Sequence, residues 1–411
     1  MDNNLILPEA SNNAALIINC GSSSVKMALI DLDSEQRLAE GLAERVGQAA
    51  TGFNWQWQGK EKHVELGICD HKATIQMMLH CLFEQFGKQC IVAVGHRVVH
   101  GGEKFIEPTL LNATNIAAIE GLSHLAPLHN PVNIIGIKAA VEALPNMPHF
   151  AIFDTAFHHA MPEHASLYAV PYHWYSDYAV RRYGFHGTSH HYVAKEAAKR
   201  LGKAFDTCNV LTAHLGNGCS ATAISKGISV DTTMGMTPLE GLMMGTRSGD
   251  VDPGLHAYIA QQADDSLDEI THALNHQSGL LGISGLSNDM RTLLAAADDD
   301  HDRAALAIDM FCYRLAKSLA ALIVALDGLD AIIFTGGIGE HAAPIRLKTM
   351  QYLHILKADV DSERNNAHGK LSNGFINTEH SKLPILVIAT DEERMIAHYV
   401  RIKMDKLEAV S

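Results

Sequence analysis

At 411 residues, with 46 acidic against 32 basic side chains and a formal net charge of −14, the chain is too long for one core. It is also too acidic for a nucleic-acid or anionic-membrane partner outside a local basic patch. Hydrophobic residues at 47% and charged residues at 19% suit a globular enzyme of two domains, each of about 150 to 200 residues. An anionic substrate must then be met by locally clustered Arg and Lys.

Seven cysteines lie singly between Cys20 and Cys312 with no CxxC pair, which implies reduced thiols and a cytoplasmic setting. The first residues, MDNNLILPEASNN, lack a basic region and read as a short loose arm. The 25 histidines include clusters such as His186, His190 and His191, but no HExxH or Cys/His zinc spacing, so a structural zinc site is not expected.

A strand over 16–18 and its return over 25–30 flank Gly21, Ser22 and Ser23, the pattern of a tight hairpin with a hydroxyl-rich tip. Gly and Ser let backbone amides face a phosphate, Lys26 adds a cation, and Asn19 is suited to hold a metal-bound water. A third strand over 38–46 and an extended segment around Trp55 and Trp57 follow. Ile75, Met78, Leu79, Leu82, Phe83 and Phe86 recur at helical spacing and predict a helix covering the sheet. A buried strand over 91–94 delivers Arg97 to its end, where open α/β sheets bind ligands. Asn130 is predicted as a helix N-cap with Pro131 in the first turn. A strand over 150–153 ends at Asp154.

The second half repeats the opening plan, with a strand over 210–215, a tip over 216–220, a return over 221–225 and a third strand over 228–233. This duplication predicts two related halves facing across a cleft, each offering a phosphate-binding hairpin. An apolar stripe from Ile308 to Leu326 marks a long helix. It leads to a strand over 331–334 that empties into a Gly-rich turn before a helix, which lets backbone approach a nucleotide. Finally, 384–389 is a strand, and Asp391 caps a helix with Glu392 in its first turn and Met395, Ile396, Tyr399 and Val400 on its inner face.

With these pieces in order, the chain resembles the acetate kinases, within the actin-like, sugar-kinase-like phosphotransferases. The likeness covers nearly the whole chain. It rests on NCGSSSVK from Asn19, GHRVVHGGE from Gly95, APLHNP from Ala126, FDTAFH from Phe153, RRYGFHGTSH from Arg181 and HLGNG from His214. It continues in MGMTPLEGLMMGTRSGDVDP from Met234, SGLLGISG from Ser278, FTGGIGE from Phe334 and DEE from Asp391. The resemblance implies an α/β fold of two duplicated actin-like (ribonuclease H-like) βββαβα domains facing a central cleft. The first would span 1–156, completed by the C-terminal helix over 390–411, and the nucleotide-binding domain 157–389. It implies reversible transfer of the ATP γ-phosphoryl to acetate, dependence on Mg2+ or Mn2+, and a homodimer.

Phosphoryl transfer asks for positioning and charge neutralisation more than covalent chemistry, and acetate needs no base because it is already an anion. By the resemblance, Arg97 is the carboxylate clamp, a role suited to a guanidinium fork. Arg247 stabilises the transferring phosphoryl with His186 donating beside it. Asp154 matches the family's acid/base position, although with a carboxylate nucleophile its work is better read as orienting Arg97 or a magnesium-bound water. Asn19 and Glu392 correspond to the magnesium-organising pair. Nucleotide contacts fall to Lys26, to His214, Leu215, Gly216, Asn217 and Gly218, to Asp289, Met290 and Arg291, and to Gly337, Ile338, Gly339, Glu340 and His341. His341 and Asp391 depart from the usual Asn at each place. Val99, Leu128, Phe185 and Pro238 would surround the methyl group, making propionate a poorer substrate. A propionate or butyrate kinase of the same fold and a non-catalytic ATP-binding module are the alternatives, while a P-loop kinase is excluded because GxxxxGK[ST] is missing.

Overall fold

The computed structural model describes residues 13–127 and 129–409; apart from Asn13, the predicted loose arm lies outside the described residues. The chain packs as two units, Met1–Ala156 with Asp391–Ser411, and Phe157–Thr390.

The first unit is built on a sheet of eight strands among the described residues, β1 (Ala14–Cys20), β2 (Ser24–Asp31), β3 (Arg37–Glu44), β4 (Thr51–Trp57), β5 (Lys60–Gly67), β6 (Ile91–Val98), β7 (Thr109–Leu110) and β8 (His149–Phe153). Their order is β5-β4-β3-β2-β1-β6-β8-β7. β1 pairs antiparallel with β2, and the Gly21 amide donates to the Ser24 carbonyl at 2.8 Å to close the tip. β6 runs parallel to β1 and β8, so the carboxyl ends of all three share one edge. Both faces of β1 are covered, which is why it reads as continuous apolar sequence. Leu16 and Ile18 pack with Ile75, Met78, Leu79 and Leu82 of the helix His71–Phe86. Ala15 and Ile17, on the alternate face, pack with Ile396 and Val400 of the helix Glu392–Glu408. Each Leu, Ile, Val or Met among these contributes about 1.5–3 kcal/mol on burial. Gly95 permits this close approach, since a Cβ there would stand 2.8 Å from Ile396 and 2.9 Å from Ile17.

The second unit holds β9 (Asn209–Leu215), β10 (Cys219–Ser225), β11 (Ile228–Thr232), β12 (Ala331–Thr335) and β13 (Ile385–Val387), in the order β11-β10-β9-β12-β13. That order matches β3-β2-β1-β6-β8 strand for strand, antiparallel hairpin and parallel neighbours included. The duplication legible in the hairpins therefore extends to both parallel strands. Val193, Ala194, Ala197 and Ala198 of the helix Gly187–Leu201 pack on the sheet through Val210, Ile224 and Ile333.

Three local expectations are corrected. β6 continues to Val98, so Arg97 stands within the strand rather than after it. Asn130 is not an N-cap: His129 holds that place without a side-chain bond. The buried Asn130 amide instead accepts from the His100 amide at 3.1 Å and donates to the His100 carbonyl at 3.0 Å, because the backbone groups of the buried His100 need partners. The Gly-rich turn after β12 is itself helical, Gly336–His341, with Glu340 folding back to accept from the Gly336 amide at 3.0 Å.

Candidate active site

In the first unit, the ends of β6 and β8 and the start of the C-terminal helix bring Arg97, Asp154 and Glu392 together. Arg97 donates from Nε to Asp154 Oδ1 at 2.9 Å and from Nη2 to Oδ2 at 2.7 Å, and Glu392 Oε2 stands 3.4 Å from Nε. The Asp154 side chain is 1% exposed and that of Arg97 18%. Burial works against the Arg97 charge, but Asp154 and Glu392 outweigh it and hold the guanidinium above its ordinary value. Burial pushes the Asp154 carboxyl up while Arg97 opposes the shift. The proton at this pair stays on the arginine, whose fork keeps Nη1 outside the contact with Asp154.

Asn19 pairs in register with Lys26 across the hairpin. Lys26 therefore sits in the body of β2 rather than at the tip, 3.0 Å from Glu393. Asp391 caps the C-terminal helix by accepting from the Arg394 amide, and it pairs with Arg37 at 2.6 Å. Val99 is buried, its amide held by Asn133 Oδ1 at 3.0 Å; Leu128 lies outside the described residues. Among the described residues no three His, Cys, Asp or Glu gather to hold a metal ion. One carboxylate, Glu392, and one amide, Asn19, suit a hard cation that keeps most of its waters and arrives with a nucleotide.

In the second unit, the β9–β10 tip brings His186 and Arg247 together. A Cβ on Gly218 would stand 3.4 Å from His186 Cε1 and 3.5 Å from both His186 Nε2 and Arg247 Nη1, so imidazole and guanidinium flank this glycine. His186 precedes the helix Gly187–Leu201 in a left-handed conformation, φ 56° and ψ 27°, a backbone state costing about 1–3 kcal/mol outside glycine. Its Nδ1 meets Ser220 Oγ at 2.9 Å, and its ring stacks on His214 with centroids 4.3 Å apart. Arg247 Nη1 donates to the Pro238 carbonyl at 3.2 Å, and burial lowers its pKa. Phe185 is buried beside His186, its carbonyl 2.9 Å from His158 Nε2.

The two Gly-rich turns touch, as a Cβ on Gly336 would lie 2.8 Å from the Leu215 carbonyl. Asn288 Nδ2 donates to Asn217 Oδ1 at 3.0 Å, tying the tip to the helix Met290–Asp298, which Asp289 caps. The exposed Arg291 forms a two-pronged pair with Asp289. Gly337, Ile338, Gly339, Glu340 and His341 form the helix that follows β12.

Sequence reasoning missed Arg346. Fully buried, it donates to the Gly339 carbonyl at 2.8 Å, the Glu340 carbonyl at 3.1 Å, Asn365 Oδ1 at 2.8 Å and the Asn365 carbonyl at 2.7 Å. With burial dominating, its pKa falls to about 10. A lone Arg in the helix Ala343–Tyr352 carries no local signal for this role. Ser220 reads in the sequence only as part of a tip, and His190 only as a possible metal ligand.

Two sheets of one strand order, each opened by a Gly/Ser hairpin, define an actin-like α/β fold. Solved structures similar to it include a propionate kinase from Francisella tularensis, 45% identical, with a TM-score of 0.89 over 94% of this chain and 98% of that one, and the Porphyromonas gingivalis acetate kinase, 38% identical, with a TM-score of 0.86 over 97% and 100%. The Acetokinase family model matches residues 14–398, and the chain belongs to the acetokinase family. Relatives named acetate kinase include those of Deinococcus deserti, 51% identical over 94% of this chain and 96% of its own length, and Clostridium beijerinckii, 46% identical over 93% and 97%. No helix among the described residues is long and apolar enough to cross a membrane.

Proposed function

We propose that this protein is an acetate kinase, transferring the γ-phosphoryl of ATP reversibly to acetate to give acetyl phosphate and ADP. Relatives of that name across almost the full chain support the reaction. The observation that carries the reading in the site itself is Arg97, a guanidinium fixed by a buried carboxylate.

Arg97 holds the acetate carboxylate, and Asp154 orients Arg97. An acetate oxygen attacks the γ-phosphorus in line as the bond to the β,γ-bridging oxygen breaks; no proton has to be removed. His186 and Arg247 stabilise the charge on the transferring group. The tip His214–Leu215–Gly216–Asn217–Gly218, Lys26, the segment Asp289–Met290–Arg291 and the turn Gly337–Ile338–Gly339–Glu340–His341 serve the nucleotide. Asn19 and Glu392 would orient waters of a magnesium ion, which neutralises nucleotide phosphate charge when bound. Val99, Leu128, Phe185 and Pro238 limit the acyl chain. A cytoplasmic homodimer accords with the family resemblance and with seven free cysteines.

Propionate kinase is the second reading, favoured by the Francisella tularensis neighbour. Trapping acyl phosphate as hydroxamate, with ATP and magnesium and with acetate, propionate and butyrate side by side, tests both. Acetate should give the highest yield and chelator should abolish it. A propionate yield above that of acetate selects the second reading, and no hydroxamate from any acid refutes both.

A further inference from the structure

Behind His186 lies a chain of buried hydroxyls and imidazoles that the transfer reaction does not itself require. His186 Nδ1 meets Ser220 Oγ at 2.9 Å, Ser220 Oγ meets His190 Nε2 at 2.7 Å, and His190 Nδ1 meets Thr212 Oγ1 at 2.7 Å. Ser220, His190 and Thr212 are all fully buried.

Ser220 has one hydroxyl proton and two imidazole nitrogens within reach, so in the fully bonded neutral chain it receives from one ring and gives to the other. The tautomers of His186 and His190 are thereby coupled. The far end sets the direction. Thr212 Oγ1 is 2.7 Å from His190 Nδ1 but 3.5 Å from the Thr222 carbonyl, so its proton belongs in the short, well-formed contact. His190 Nδ1 then accepts, Nε2–H donates to Ser220, and Ser220 O–H donates to His186 Nδ1. The neutral His186 ring is left with its proton on Nε2, the nitrogen beside Gly218 and Arg247.

We propose that Ser220 and His190 are positioning residues that hold His186 as the Nε2–H tautomer, so that a neutral imidazole donates a hydrogen bond to the transferring phosphoryl. The consequence for catalysis rests on the role proposed above for His186; the relay itself rests on the hydrogen-bond geometry and the burial of its members. Two groups from other elements face the ring. Arg247 brings a cation beside Gly218 from its loop, and His214 of β9 stacks on the ring with its own Nδ1 bonded to Ser189 Oγ at 2.8 Å. Burial lowers the His190 pKa well below the usual imidazole value, so His190 stays neutral as the relay requires. The left-handed backbone at His186 aims the ring at this chain.

His190 packs in the core, so the test is placed on Ser220. Histidine-labelled full-length protein, with the His186 resonances assigned through His186→Gln, reports which ring nitrogen carries the proton by long-range 1H–15N NMR. The wild type should show His186 protonated on Nε2 and bare on Nδ1. Ser220→Ala should move it toward a tautomer mixture and lower kcat on the order of 10-fold, by analogy with the loss of the outer partner of a metal-bound histidine. Ser220→Thr, which keeps the hydroxyl, should retain both. A wild-type His186 carrying its proton on Nδ1, or a Ser220→Ala spectrum unchanged at His186, overturns the relay. A changed tautomer with unchanged kcat supports the relay and overturns the part of His186 in transfer.

Discussion

Asp154 holds Arg97 through both carboxylate oxygens, at 2.9 and 2.7 Å, with Glu392 3.4 Å from the same guanidinium. Removing one member of a buried pair leaves the other charge uncompensated, at about 3–5 kcal/mol. Asp154→Ala should therefore lower unfolding stability by roughly 3 kcal/mol, while Asp154→Asn, which keeps the shape, should lower it less. Both should raise the acetate KM and lower kcat. Urea unfolding with steady-state kinetics checks this, and an unchanged unfolding midpoint in Asp154→Ala would contradict the pairing.

Val99 leaves the end of β6 buried, and Asn133 fixes its backbone. One methylene is worth about 1–3 kcal/mol of discrimination in an apolar pocket. Val99→Ala should raise kcat/KM for propionate relative to acetate by about 10-fold. An unchanged ratio would remove Val99 from the acyl pocket.

Four buried histidines, His96, His149, His158 and His190, have pKa values lowered by burial, that of His158 to about 4. The unfolded chain takes up protons near pH 6.5 while these groups resist until well below it. Their contribution to stability is therefore complete above about pH 6.5 and is lost as pH falls toward the folded values. His158 alone accounts for about 1 kcal/mol at pH 5.5. Melting temperatures measured from pH 7.5 to 5.5 should fall steadily; a flat profile would contradict neutral burial.

Arg346 satisfies the Gly339 and Glu340 carbonyls from beneath the Gly-rich helix. Arg346→Met keeps much of the volume and leaves those acceptors bare, at about 1–3 kcal/mol each. Reduced stability and a raised KM for ATP, with the acetate KM little changed, are expected. Equal increases in both KM values would mean that Arg346 does not act through the nucleotide turn.

The candidate site motifs stood out in the sequence because Gly, Ser and Arg gather in short runs between apolar segments, as around Gly218 in its hairpin tip and Arg247 in its Gly-rich loop. The hairpin repeat likewise announced two sheets, since strands covered on both faces read as continuous apolar runs, as β1 and β9 do, before their Gly-containing tips. What escaped notice depends on partners distant in sequence. Asn130 has cap chemistry by local rules, yet it is spent on His100, 30 residues away. The pair between Lys26 and Glu393 forms only where the C-terminal helix packs beside β2, which no local pattern at Lys26 announces. The relay from Thr212 to His186 joins residues of β9, β10 and the segment at a helix start, and no local rule connects them.

The most direct measurement of the central claim is 31P NMR of the purified chain mixed with ADP, magnesium and acetyl phosphate. The acetyl phosphate resonance should decay as those of ATP grow, and excess ATP with acetate should drive the same exchange backward. Decay to inorganic phosphate with no ATP formed, or no decay at all, would contradict phosphoryl transfer between acetate and the nucleotide.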